Sequence, residues 1–283
     1  MNRRLVGILA AVVTSVPTLV TASAHHVHFV PAPRLLLVGA RAADVPFATV
    51  ATQTGSVKVT RLFYSGALPT TYTRQGIPAG VKLIISYKTP NTNVSAYARS
   101  IPTGQDVELC WHHEPEADFT TGAEFTSVFD RQADLIHSAN AKIPVAFIAG
   151  MYQYATAGHG FSGSFIPTKQ DRSYADSYLP TSRTIVPAKT EVRLTRYRAL
   201  LAAKGKIWDG FTEYGRGVIR QGAAFDPAVA AARAKTISAD AAWLPTTTAR
   251  VWAYWFSTDL ASGDQWRFTD AASMTAWRTA ALR

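Results

Sequence analysis

Short apolar runs recur along this chain, and between most of them lie stretches with helical spacing. The runs are residues 34–39 (RLLLVG), 57–64 (VKVTRLFY), 81–87 (VKLIISY), 107–111 (VELCW), 143–149 (IPVAFIA), 173–178 (SYADSY), 206–211 (KIWDGF) and 249–256 (ARVWAYWF). Each is too short for an ordinary helix, and most are rich in β-branched or aromatic residues, the pattern of a strand buried on both faces. Such strands belong to parallel sheets, whose crossover connections cover them with helices. The alternation predicts an α/β fold, a single (β/α)8 TIM barrel, for which ~250 residues is the usual length.

The helix signals fit that order. Thr121-Gly122-Ala123-Glu124 is a capping box, and Phe125, Val128, Phe129 and Ile136 keep one face apolar behind it. Asp226-Pro227 places an N-cap before a first-turn proline and opens an alanine-rich helix to about Trp243. Further helices are expected over 94–99, 191–204 and 271–282. Residues 157–190 are rich in Gly, Ser, Thr and Pro without helical period, so the fifth and sixth βα units are expected to be irregular.

At the start of the chain, Arg3 and Arg4 precede an apolar stretch to Val20 and an A-x-A site at Ala22-Ser23-Ala24. Residues 1–24 therefore read as an export signal. Thr14, Ser15 and Pro17 interrupt the stretch, which favours cleavage and a secreted product over a retained membrane span. Residues 25–33, with three histidines and two prolines, read as a disordered leader. Residues 34–283 remain as one domain, expected to be monomeric. The single cysteine, Cys110, cannot form an intramolecular disulfide and lies in an apolar run, so the domain must rest on its core. The net charge is +10, yet only 17% of residues are charged and no basic run occurs, which argues against nucleic acid. No H-E-x-x-H motif or carboxylate cluster asks for a metal, and no cofactor is expected.

Chemistry is concentrated where the fourth run ends, at Val107-Glu108-Leu109-Cys110-Trp111-His112-His113-Glu114-Pro115-Glu116. Proline stops a ladder because it has no N–H to donate, so Glu114 stands at a strand's carboxyl end, where α/β folds bind ligands. Glu213 follows the seventh run and Asp176 ends the sixth. Strands four and seven face each other across a barrel mouth. Two carboxyls there suit cleavage of a glycosidic bond, one donating a proton and the other attacking or supporting the anomeric carbon. A spacing of ~5 to 5.5 Å would mean retention, and a wider one inversion. Glu116 and Asp118 read as solvated loop acids, either of which could be the acid if the strand ended later. Arg61, near the end of the second run, could hold the nucleophile ionised or close the barrel as a salt bridge. Tyr87, Trp111, Tyr152, Trp252 and Tyr254 read as core aromatics.

His113-Glu114-Pro115 after Trp111, together with Glu213-Tyr214-Gly215 after an apolar strand, resembles the clan of retaining (β/α)8 glycoside hydrolases. Within it the pattern is most similar to family 26, the endo-β-1,4-mannanase family, in which a histidine precedes the acid. The resemblance implies Glu114 as acid/base, Glu213 as nucleophile and His113 as the residue orienting the acid and the neighbouring sugar. It places Asp176 and Tyr178 near the active site and Trp255 as an aromatic platform. It implies a polysaccharide or oligosaccharide substrate, mannan first. Glu114-Pro115-Glu116 departs from the family's Glu-Met-Asn. A barrel that binds glycans without hydrolysing them is the alternative; it would hold an oligosaccharide unchanged through long incubation.

Overall fold

The computed structural model describes residues 36–41, 46–90, 93–155, 158–179, 185–217, 219–220, 226–255, 264–265, 268 and 270–282. The expected export signal and leader lie outside the described residues. In chain order the elements are β1 (Leu37–Arg41), α1 (Phe47–Thr54), β2 (Val59–Tyr64), β3 (Lys82–Tyr87), α2 (Asn93–Ser100), β4 (Val107–Trp111), α3 (Gly122–Ala139), β5 (Ala146–Gly150) and β6 (Arg172–Leu179). They continue with α4 (Val192–Ala203), β7 (Gly210–Arg216), β8 (Ile219–Arg220), α5 (Pro227–Trp243), β9 (Val251–Trp255), β10 (Asp264–Gln265) and α6 (Ala271–Ala281).

The caps read from the sequence are made. The Thr121 hydroxyl accepts from the Glu124 N–H at 3.2 Å, and the Asp226 carboxylate accepts from the Ala228 N–H at 2.8 Å. Each satisfies an N–H that the first helical turn leaves without a partner. Between β5 and β6 stand only the short 3-10 turns Met151–Tyr154 and His159–Ser162, in keeping with the irregular unit expected there. Helix α1 was not expected. Its β-branched Thr and Val residues blur the helical period, although Val50 and Thr54, one turn apart, are both buried.

The fold is mixed α/β with parallel sheets, but the strands do not form one continuous ladder. One sheet runs β1-β9-β7-β6-β5 and another β2-β3-β4, all parallel, while β8 and β10 pair antiparallel. Hydrogen bonds still cross between the two parallel sheets at both seams. Lys58 N–H donates to Val38 O at 2.9 Å, and the bare Cα of Gly39 lies against the Val59 carbonyl, where any Cβ would collide. At the other seam Leu109 N–H donates to Pro144 O at 3.1 Å and Glu114 N–H to Ile148 O at 2.9 Å.

Alternation along the strands sorts side chains into two cores. One face packs outward against the helices in a large cluster that includes Leu83, Leu109, Phe147, Phe211 and Trp252. The other face forms a small cluster of Val59, Ile84, Cys110, Ala146, Ile148, Tyr174, Val251 and Ala253. Cys110 is thus buried in apolar surroundings, which push its thiol up to about 12 and keep it inert. Two residues beyond this inner cluster, on the same face, come Arg61 on β2, Ser86 on β3, Gly150 on β5, Asp176 on β6 and Trp255 on β9. The inner faces of most parallel strands therefore converge at one end.

Two strands differ from the sequence reading in a way that bears on the site. Strand β7 covers Gly210–Arg216 rather than 206–211, and β6 covers Arg172–Leu179. Glu213 and Asp176 thus stand within strands rather than after them. Asp209 N–H donates to Ser173 O at 2.8 Å, so the chain enters the sheet only past the residues expected to begin it.

Candidate active site

A bulge in β7 places the central carboxylate. Ala175 pairs with Phe211 but Asp176 with Glu213, and against β9 Phe211 pairs with Trp252 and Tyr214 with Tyr254. One extra residue on β7 thus lies between two outward-facing aromatic side chains. Thr212 and Glu213 both reach the inner face, as bulges beside active sites re-aim side chains. The Thr212 hydroxyl donates to Asp176 Oδ1 at 2.6 Å.

Arg61 is the hub. Its Nη1 donates to Asp176 Oδ2 at 2.7 Å and to Glu213 Oε1 at 2.6 Å, and its Nη2 donates to Ser86 Oγ at 2.9 Å. One guanidinium of β2 thus bridges to carboxylates on β6 and β7 of the other parallel sheet. The Tyr178 hydroxyl donates to the other oxygen of Glu213. Glu213 so receives a donor on each oxygen, one of them charged. Asp176 is wholly buried, and desolvation raises its pKa although Arg61 and Thr212 oppose the shift.

Glu114 sits in the opposite environment. Its Oε1 is shielded from solvent and has no hydrogen-bond partner, and its Cγ and Oε1 lie 3.3 and 3.2 Å from where a Cβ on Gly150 would stand. Burial first, then repulsion by Asp176, Glu213 and Glu116, raises its pKa well above the carboxylate range, with Arg61 opposing. Glu114 takes φ 52 and ψ 49, and His112 has φ 53. Two left-handed non-glycine residues flanking His113 are a costly local geometry, of order 1–3 kcal/mol each, of the kind found where function requires it.

His113 lies edge-on to Phe63, with ring centroids 5.2 Å apart, and its buried Nδ1 has no partner. Desolvation, with Arg61 and Lys88 nearby, holds it neutral, well below the usual imidazole range. Phe63 carries Arg61 on one face at 4.3 Å and meets Trp255 edge-on at 6.1 Å. The structure thus joins Arg61, Asp176, Tyr178 and Glu213 by hydrogen bonds, and links His113 and Trp255 to Arg61 through Phe63. His112 turns instead to the rim, where its Nε2 and Lys88 Nζ each lie 2.6 Å from Asp118.

Glu116 overturns its sequence reading. It is not a solvated loop acid but fully buried, because Pro115 opens a 3-10 turn that folds the chain back beneath β5. Its Oε2 accepts from the Gly150 N–H at 3.3 Å, and burial pushes its pKa up to about 7. The Tyr154 hydroxyl lies beside it without a well-formed hydrogen bond. Ser86, Phe63, Thr212 and Gly150 also went unnoticed in the sequence. Phe63 alone carried a signal, two residues after Arg61 and so on its face of the strand. Tyr87, Trp111, Trp252 and Tyr254 are buried, as core aromatics should be, but Tyr152 is exposed.

No protein-family model and no curated protein matches the chain. Solved structures do. The GH26C protein from Muricauda sp. MAR_2010_75 superposes with TM-score 0.57 at 10% identity, over 89% of this chain and 86% of that one. A GH5 xyloglucan-specific β-1,4-glucanase from a ruminal metagenomic library gives 0.53 at 8%, over 87% and 94%. A GH128 (subgroup I) endo-β-1,3-glucanase from Amycolatopsis mediterranei, bound to laminaritriose, gives 0.51 at 14%, over 88% and 100%. The likeness is one of fold. It is shared with TIM-barrel glycoside hydrolases of several families, among which family 26 is not singled out.

Proposed function

We propose that this chain is a secreted glycoside hydrolase that cleaves β-linked polysaccharide with retention, using Glu114 as acid/base and Glu213 as nucleophile. Residues 34–283 form the catalytic domain, and its two parallel sheets close through their seams into one (β/α)8 barrel. The observation that carries the reading is the contrast between the two glutamates. Glu114 is half-buried among other carboxyls with its Oε1 shielded and without a hydrogen-bond partner, which favours its protonated form, while Glu213 accepts from Arg61 and Tyr178. Groups whose environments push them apart in this way divide the work of acid and nucleophile.

In the first step Glu213 attacks the anomeric carbon, the bond to the leaving sugar's oxygen breaks, and the Glu114 proton passes to that oxygen. In the second, Glu114 takes a proton from water, the resulting hydroxide attacks the anomeric carbon, and Glu213 leaves as carboxylate. Arg61 holds Glu213 and Asp176 in register. His113, edge-on to Phe63, orients the acid and the neighbouring sugar, and Trp255 meets the same Phe63 as an aromatic platform. The His113-Glu114 pair favours a mannan, whereas two of the structural neighbours act on xyloglucan and β-1,3-glucan, so the substrate lies among these β-glycans. Glu213→Ala should abolish reducing-sugar release from β-mannan, laminarin or xyloglucan. Added azide should then restore cleavage and yield a glycosyl azide of inverted configuration. Failure of azide to rescue would remove Glu213 as nucleophile.

A further inference from the structure

Among the described residues, the exposed large apolar side chains are Tyr152, Val192, Ile207 and Leu282. Val192 opens a helix, Ile207 precedes a strand and Leu282 follows the last helix. Tyr152 alone follows the carboxyl end of a parallel strand, in the turn Met151–Tyr154 after β5. Met151 and Tyr154 of that turn are buried, while Tyr152 stands 46% exposed. Its ring reaches to 3.0 Å from where a Cβ on Gly150 would be, the position that Glu114 Oε1 also approaches at 3.2 Å. Ring and carboxyl thus flank one bare Cα. The Tyr152 hydroxyl meets Gln153, and the rest of the residue is open to solvent over nearly half of its surface. Glu114 stands past the end of β4, bonded to β5 and so next to Tyr152, whereas Arg61 and Phe63 lie two strands from it on β2, and Glu213 and Trp255 lie beyond β6 on β7 and β9.

The chemistry gives that arrangement a direction. The sugar attacked by Glu213 must lie over the nucleophile, and the oxygen protonated by Glu114 belongs to the sugar that departs, so the departing sugar lies on the far side of Glu114. We propose that Tyr152 is a binding residue for the leaving-group sugar, packing its ring face against the apolar C–H face of that residue and receiving the acceptor sugar in transglycosylation. This rests on the hydrolase reading above. Gly150 has a matching reason to lack a side chain, since a Cβ there would crowd both Tyr152 and Glu114.

The test compares substrates with and without a leaving sugar. Tyr152→Ala and, as a second truncation, Tyr152→Ser are assayed on laminaripentaose, mannopentaose and cellopentaose, and on β-glycosyl fluorides of the corresponding disaccharides, whose leaving group is a single atom. The ratio of kcat/KM on the pentasaccharide to that on the fluoride should fall about tenfold in both variants. Tyr152→Phe should keep the wild-type ratio, and the two truncations should lower the yield of transglycosylation products. An equal loss on both substrate types, or no loss, overturns the subsite while leaving the hydrolase reading intact. A wild-type protein that cleaves none of these compounds overturns the hydrolase reading and the subsite with it.

Discussion

Both ends of the inner strand faces bury carboxylates, and they treat them differently. At the lower end, where the parallel strands begin, Glu108 lies 2.8 Å from Lys82 Nζ and accepts from the Tyr174 hydroxyl at 2.8 Å, with Arg172 Nε at 3.6 Å. Asp209 accepts from the Ser173 N–H at 3.0 Å and faces Arg250 at 3.2 Å. Every carboxylate there has a cation to itself or nearly so. At the upper end Arg61 is bonded to Asp176 and Glu213, while the half-buried Glu114 and the buried Glu116 lie nearby without a cation bonded to them. A cavity of about 500 Å³ opens at the lower end, lined by Lys82, Glu108, Arg172 and Arg250 among others, so access alone does not mark a reaction site. What separates the ends is the balance of charge. Each buried carboxylate at the lower end faces a nearby cation, although burial still pushes Asp209 up to about 6, whereas at the upper end Arg61 is shared and Glu114 is raised well above the carboxylate range, as proton transfer requires.

The comparison breaks most sharply at Glu114. Glu114→Ala should lower kcat on polysaccharide by ~10²–10⁴, the usual contribution of a general acid, and should spare 2,4-dinitrophenyl glycosides, whose leaving group needs no proton. Equal losses on both would mean that another group is the acid. Arg61→Met comes next, because it strips two buried carboxylates of their shared cation. Breaking a buried ion pair costs about 3–5 kcal/mol, readable as a fall in the urea midpoint. The deficit should be largest at neutral pH and shrink on acidification, as the stranded carboxylates take up protons, and activity should fall with it.

Glu116 yields a smaller, pH-dependent effect. Its carboxyl is held at about 7 in the fold against an ordinary 4.5. The folded chain therefore keeps a proton that the unfolded chain has released, and the stability contributed by this group falls as pH rises from 4.5 to 7, then levels off. By linkage the total is about 3 kcal/mol. Glu116→Gln should remove that slope, so urea midpoints of variant and wild type should diverge in the variant's favour across this range. Above pH 7 the ionised Glu116 also repels charge from Glu114. Its loss should move the alkaline limb of kcat to lower pH, and an unmoved limb would show that the two groups do not interact.

How much of this stood in the sequence follows from what periodicity reports. Strand and helix alternation marked out eight runs that each overlap a parallel strand, and the family resemblance placed Asp176 and Tyr178 near the site, where the period of two puts them on one face of β6. Glu114 was legible because Pro115 ends a strand in charge. The bulge at Thr212 was not, since an inserted residue changes register without changing composition. The burial of Glu116 was equally hidden, because Pro-Glu-Ala-Asp reads as loop and only the left-handed Glu114 before it turns the chain inward. Helix α1 escaped because β-branched residues obscure its period, and the division into two sheets depends on seam contacts between residues distant in sequence.

The smallest effect on activity, and the control for the comparison, belongs to Lys82. Its side chain is 11% exposed, and its Nζ lies between Asp106 at 2.6 Å and Glu108 at 2.8 Å. Lys82→Met should leave Glu108 with Tyr174 and a more distant Arg172, a partial loss worth about 1–3 kcal/mol rather than the full cost of an orphaned ion. The urea midpoint should drop accordingly while kcat on polysaccharide stays within about twofold of wild type, because the middle layer of Val59, Ile84, Cys110 and Tyr174 separates this end from Glu213. Comparable loss of kcat in Lys82→Met and Arg61→Met would mean that the two ends act as one electrostatic unit, and that the division between holding strands and moving protons is wrong.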